Sequence, residues 1–237
     1  SWRQDLKIKE DLVEEVGRLL GYEKIPNKAF DLKKNNEAGV TSETQKIKRQ
    51  IKELLVSRNI MEIISWSFSN KKWEENVIGD TDNIEIQNPI SEELSCLRQS
   101  LLGGLLNIVN KNNNKDRQNI SIFELGPVFT GINPGEQKDR LAIIRSGKAI
   151  DKNWTADNRN YDVFDIKSDL VSLLRLLKIP LDKIKIKNEN NNFFHPGKSC
   201  SVYFSELKIA SFGEIHPNVS KSFKIKNTVI ILEVYIS

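Results

Sequence analysis

A chain of 237 residues is long enough for one large domain, or for one domain with a piece of another, and its 38% hydrophobic residues can bury a sizeable core. Lys and Arg exceed Asp and Glu by 36 to 32, and this net +4 is interleaved along the chain, so it permits a nucleic-acid partner without arguing for one. No run approaches the ~18 apolar residues of a membrane span, no signal peptide opens the chain, and Cys96 and Cys200 lack metal-ligand spacing, so the chain reads as a reduced, cytoplasmic protein with no membrane partner.

The chain opens at Ser1 without a methionine, as if cut from something longer. Leu12, Val13, Val16, Leu19 and Leu20 mark a first helix, with Gly21 as its C-cap and Pro26 beyond it. Asp5, Asp11, Glu14 and Glu15 cluster at its start, and on a helix Asp11 shares a face with Glu14 and Glu15. By spacing alone two readings stay open: acids favoured at a helix N-terminus, or a cation site. Residues 27–41 read as a polar linker. Ser42, with Gln45 three residues later, forms a capping box for a helix whose buried stripe is Ile47, Ile51, Leu54 and Leu55. Alternation over Ile60–Phe68 predicts a strand. A short helix around Lys71–Asn76 and a strand around Ile84–Gln87 follow.

The stretch from Asn88 to Phe129 is the centre of the pattern. An Asn-Pro turn leads to Leu97-Arg98-Gln99-Ser100 and then to an amphipathic helix carrying Leu105, Ile108 and Val109. Gly103 and Gly104 would each cost about 1 kcal/mol inside that helix, which places its start at or just after them. Ile120–Phe129 is then a strand with apolar side chains on both parities, as a strand covered on both faces requires. Glu124 shares the parity of Ile120 and Ile122, which predicts a buried carboxylate in need of a partner, with Arg98 as the candidate.

Strands are predicted at Leu141–Arg145 and Tyr161–Ile166, then a helix capped by Ser168 and stopped by Pro180. Further strands fall at Ile184–Ile186, Cys200–Phe204, Leu207–Gly213 and Thr228–Tyr235, with a turn at Ser205-Glu206 and a short helix from Pro217. Many strands joined by short turns, without parallel βαβ alternation, predict an α+β fold: an antiparallel sheet flanked by helices. His195 and His216 each precede a proline and sit in no zinc motif. No Gly-x-Ser-x-Gly, Walker or Gly-x-Gly-x-x-Gly pattern is present.

Five segments, SWRQDLKIKEDLVEEVGRLLGYEKIP, NPISEELSCLRQSLLGGLLNIV, ISIFELGPVF, FFHPGKSCSVYF and ASFGEIHPNV, together resemble the β subunit of bacterial phenylalanyl-tRNA synthetases. The resemblance implies an internal piece of such a subunit. Residues 1–26 would end a small domain, 27–41 would be a linker, and 42–237 would form a class II synthetase-like core. It also implies an α-subunit partner in an (αβ)₂ heterotetramer, tRNA as a further partner, and ATP bound by the α subunit rather than by this chain. The family's Asp-x5-Asp-x2-Glu-Glu pattern, matched by Asp5, Asp11, Glu14 and Glu15, implies a Mg²⁺ ion shared with the α subunit. The family usually has Pro at Gly103 and often a basic residue at Pro127, and this chain departs from both.

A class II catalytic centre needs an Arg on its second-motif strands and another ending its third motif, because ATP phosphates require bidentate cations. ISIFELGPVF carries no Arg, and none follows Arg175. The expected role is therefore a non-catalytic core in a phenylalanine–tRNA ligase, with no catalytic residues of its own. The alternatives are a catalytic class II paralogue, which those missing arginines oppose, and an RNA-binding module, which would want clustered basic and aromatic residues.

Overall fold

The computed structural model describes residues 3–28, 41–79, 84–150, 154, 158–189 and 191–236. The chain divides into two compact units, Ser1–Ser42 and Glu43–Ser237. In the first, α1 (Lys9–Leu20) ends at Gly21, whose φ of 91° and N–H bond to Gly17 O close the last turn, as expected from the sequence. A single 3-10 turn follows at Tyr22–Lys24. The apolar stripe of α1 is exposed, from 55% at Val16 to 77% at Leu19. The predicted linker lies mostly outside the described residues.

The second unit is built on a sheet of β1 (Met61–Glu62), β4 (Ile120–Phe129), β5 (Gln137–Ser146), β6 (Ile184–Lys187), β7 (Phe194–Phe204), β8 (Leu207–Ile215) and β9 (Val229–Ile236), in the order β1-β4-β5-β9-β8-β7-β6. Only β1 runs parallel to its neighbour; every other pairing is antiparallel. β2 (Phe68–Ser69) and β3 (Cys96–Leu97) form a separate two-stranded ribbon. Helices cover both faces of the large sheet. On one, α2 (Glu43–Ser57) and α5 (Val163–Leu176) bury Ile51, Leu55, Ile166, Leu170 and Leu173 against Phe123, Ile143 and Leu232. On the other, α4 (Leu102–Asn113) and α6 (Pro217–Ser222) bury Leu105, Val109 and Val219 against Ile122, Ile144 and Ile231, with Trp73 of α3 (Lys71–Ile78) packed alongside. Among the described residues, no helix is long and apolar enough to cross a membrane.

The apolar residues on both parities of β4 do face two cores, but four of the predicted elements differ. Ile60–Phe68 is not one strand. After β1 only the Ile63 N–H still bonds Phe123 O, at 2.8 Å, because the Ser65 N–H and Oγ are drawn to the Glu124 carboxylate instead. Ile84–Gln87 contributes a single bridge, Glu85 to Cys96, and no strand. Tyr161–Ile166 opens a helix. Asp162 accepts from the Phe164 and Asp165 N–H groups while Asp165 accepts from the Asp162 N–H, and this reciprocal cap overrides the β-prone residues between them. Ser168, predicted to cap that helix, therefore lies in its interior. Finally, α4 starts one residue before Gly103 rather than after the glycines. A Cβ on Gly103 would lie 3.1 Å from Trp73 Cβ, and one on Gly104 would lie 3.2 Å from Ser65 Oγ. Their helix-propensity cost is accepted because the first turn of α4 lies hard against both neighbours.

Candidate functional sites

The four acids at the start of the first unit do not act alike. Asp11 reaches back to accept from the Lys7 and Ile8 N–H groups at 2.7 and 3.0 Å, and these bonds hold its carboxyl below the usual carboxylate range. Asp5 and Glu15 converge on Arg3, whose Nη2 lies 2.7 Å from each. Glu15 also takes Arg18 at 2.6 Å, and the guanidinium bonds lower both of these carboxyls. Glu14 is exposed. Among the described residues, no three His, Cys, Asp or Glu side chains converge as a metal site. The local fit to a cation is thus a pair, Asp5 and Glu15, already gathered around one positive group.

The second site follows from register. On the face that carries α4, one cross-strand row runs Glu124–Ala142–Glu233–Ser211–Ser201–Lys187 through six strands. Both carboxylates of this row are managed by neighbours. Glu124, 2% exposed, accepts from Arg98 Nη1 at 2.6 Å and from Ser65 Oγ at 2.7 Å, so the pairing proposed from parity alone is present. Arg98 also donates through Nε to Pro127 O at 2.9 Å, and a Cβ on Gly126 would come within 2.7 Å of its Nη2. Pro127 thus contributes a carbonyl that the guanidinium uses. Removal of Glu233 from water pushes its carboxyl up, with the Arg140 charge opposing. Arg140 itself stacks over Tyr235, 4.4 Å from the ring centre, and burial pushes the Tyr235 hydroxyl up to about 12.

Two further buried acids were not singled out from the sequence. Glu74 of α3 accepts from Ser69 Oγ and from the Gln99 and Ser100 N–H groups, and burial raises its pKa. It thereby holds the backbone just after Arg98. Asp169 on α5 accepts from Arg145 at 2.7 and 3.0 Å and from Arg58 at 2.6 Å. Asp169 sits at helical spacing from Ile166 and Leu173, and an acid inside an apolar stripe was the available signal. His195 lies in the irregular start of β7, where the register shifts between Phe194 and Ser199, and His216 stands just before α6. Each Nδ1 accepts a backbone N–H two residues on, from Gly197 and Asn218 respectively, at 3.1 Å, and His216 caps α6.

The family profile for the phenylalanyl tRNA synthetase beta chain CLM domain matches residues 31–236, nearly the whole of the sheet unit. The chain belongs to this family. A phenylalanine–tRNA ligase beta subunit of Ehrlichia canis is 35% identical over 100% of the chain, and that of Wolbachia from Brugia malayi is 33% identical over 98%. The chain spans 29% and 28% of those two relatives. Among solved structures, the pyrrolysyl-tRNA synthetase PylSc of Desulfitobacterium hafniense matches with a TM-score of 0.65 at 13% identity, covering 96% of this chain and 74% of that one. At that identity the likeness is one of fold, and the CLM-domain sheet with its flanking helices is a class II synthetase-like α+β fold.

Proposed function

We propose that this chain is the core of a phenylalanine–tRNA ligase β subunit and that it supports, rather than performs, the ATP-dependent attachment of phenylalanine to tRNA. The match of the CLM-domain profile across the sheet unit carries this reading. The relatives named as beta subunits imply an α-subunit partner and tRNA, and the proposal extends this to a cytoplasmic (αβ)₂ assembly with ATP on the α subunit. The non-catalytic role is supported by where the guanidinium groups beside the polar row are committed. Arg98 is bonded to Glu124, Ser65 and Pro127, and Arg140 lies on Tyr235, so neither is presented as a bidentate phosphate clamp. The exposed stripe of α1 supplies apolar surface of the kind an obligate interface needs. The test is phenylalanine-dependent ATP–pyrophosphate exchange. The chain alone should give none, and exchange should accompany the α subunit with which it co-purifies. Exchange by the chain alone, abolished by a substitution within it, overturns the reading.

The Mg²⁺ site at Asp5, Asp11, Glu14 and Glu15 belongs to the same proposal. Its support is the convergence of Asp5 and Glu15 on one guanidinium. A cation taken there would replace Arg3 and complete its shell with waters and partner ligands, as Mg²⁺ commonly does. In the assembled enzyme, Glu14→Gln with Glu15→Gln should lower the measured Mg²⁺ content. Unchanged content leaves the helix-capping role of Asp11 and the Arg3 ion pairs as the function of these acids.

A further inference from the structure

Three segments of the sheet unit line a cavity of about 420 Å³. One wall is a face of α4, where Gly104, Asn107, Ile108 and Lys111 fall at helical spacing. A second is the loop carrying Ser91, Glu93 and Leu94. The third is the irregular segment after β1 together with the start of β2, with Trp66 and Phe68, whose rings are tilted with centres 6.2 Å apart. Trp73 and Leu101 also line the cavity, so aromatic and aliphatic carbon surrounds much of it. Its volume lies in the range of small-molecule sites, which are mostly apolar with a few placed polar groups.

The polar groups fall into two classes. Arg98, Ser65 and Ser100, which also line the cavity, are engaged: Arg98 with Glu124 and Pro127 O, Ser65 with Glu124, and Ser100 Oγ with the Leu102 N–H. Glu93, Asn107 and Lys111 are different. The side chain of none of the three makes a hydrogen bond or ion pair among the described residues, although elsewhere in the unit acids and bases pair readily. Glu93 and Lys111 are exposed and stand on different walls, and Asn107 lies one turn below Lys111. An unpaired carboxylate on one wall, an unpaired ammonium on another, and apolar carbon between them match a ligand that carries both charges on one small head and an apolar body.

We propose that this cavity binds a free α-amino acid with an apolar side chain. Its ammonium group meets Glu93 and its carboxylate meets Lys111 and the Asn107 amide, while its side chain enters among Trp66, Phe68 and Ile108. A simple anion would leave Glu93 opposed, and a cation would leave Lys111 opposed, so each pairs with only half of the site. The inference stands apart from the ligase reading, because it rests on the lining of this cavity alone.

Calorimetric titration of the 237-residue chain with L-phenylalanine and L-leucine, each beside its N-acetyl amide, tests it. The free amino acids should bind and the capped forms should bind at least tenfold more weakly, because capping removes both charges. Glu93→Gln and Lys111→Gln should each weaken binding about tenfold, and because both residues are on the surface the fold should tolerate both changes. A small residual gain should remain for phenylalanine in both variants and vanish in Trp66→Ala. No binding at millimolar concentration overturns the proposal, as does binding indifferent to both charge variants. Equal binding of the capped forms overturns it in favour of an apolar side chain from a protein partner.

Discussion

The two faces of the large sheet solve different problems. Under α2 and α5, the rows Phe123–Ile143–Leu232–Phe212–Cys200 and Leu125–Leu141–Val234–Ala210–Val202–Ile186 are apolar from end to end. Polar groups on that face begin only at the next row, where Arg145 meets Asp169. Under α4 and α6, the row Ile122–Ile144–Ile231, with Ile120 and Val229 beside it, packs the core, and the row on its other side changes at once to Glu124, Glu233 and serines. Each face carries a buried ion pair that is costly to separate, Arg145–Asp169 on the first and Arg98–Glu124 on the second, but the first sets its pair beyond two wholly apolar rows while the second sets it in a row that also holds Glu233 and serines. The difference teaches that one sheet can be a packing surface on one side and a polar surface on the other, with the two kinds of residue alternating along the same strands.

Substitutions can break or sharpen that contrast. The largest effect is expected at Arg98→Ala, which leaves the Glu124 carboxylate buried without its cation and should cost roughly 3–5 kcal/mol in urea unfolding. Adding Glu124→Gln should restore part of that loss, since the stranded charge is then gone. Equal stability of the single variant and the parent would mean that the polar row does not hold this face. On the opposite face, Leu232→Ala removes a fully buried side chain and should cost about 2–5 kcal/mol, with no compensation available from any charge change.

The smallest effect is a pH dependence at Glu233. Its carboxyl is raised above the ordinary 4.5 by burial, so the folded state holds the proton more tightly than the unfolded state does. The associated stability is present below the unfolded value and is lost as pH rises through the raised folded value. Glu233→Gln removes that loss. The stability of the variant relative to the parent should therefore increase as pH rises above 4.5, a trend read from unfolding midpoints across a pH series. A flat difference would place the Glu233 carboxyl in water.

Much of the fold was legible because its signals are local. The two-faced apolar pattern of Ile120–Phe129, the turn at Ser205-Glu206, the Gly21 cap and the start of α6 at Pro217 each depend on neighbouring residues, and each was read where it occurs. The Asp162 and Asp165 cap was equally local, but the β-prone residues of Tyr161–Ile166 masked it. The candidate sites divide the same way. Parity along one strand pointed to Glu124, and Arg98 could be named as its partner. In contrast, Glu74 and Asp169 become visible as buried acids, and Glu233 as a partly shielded one, only when α3, α5 and β9 are in place.

By itself, the sequence determined most element types, the antiparallel class of the sheet and the order of the motifs that carry the family resemblance, because periodicity and capping act over a few residues. Tertiary structure alone decided that Ile60–Phe68 breaks off after two paired residues, that Asp5 and Glu15 share Arg3, and that Glu93 and Lys111 line one cavity. The physical reason is distance along the chain. The Glu124 carboxylate that draws Ser65 off the strand is 59 residues away from it, and no local pattern encodes which of many acids will arrive.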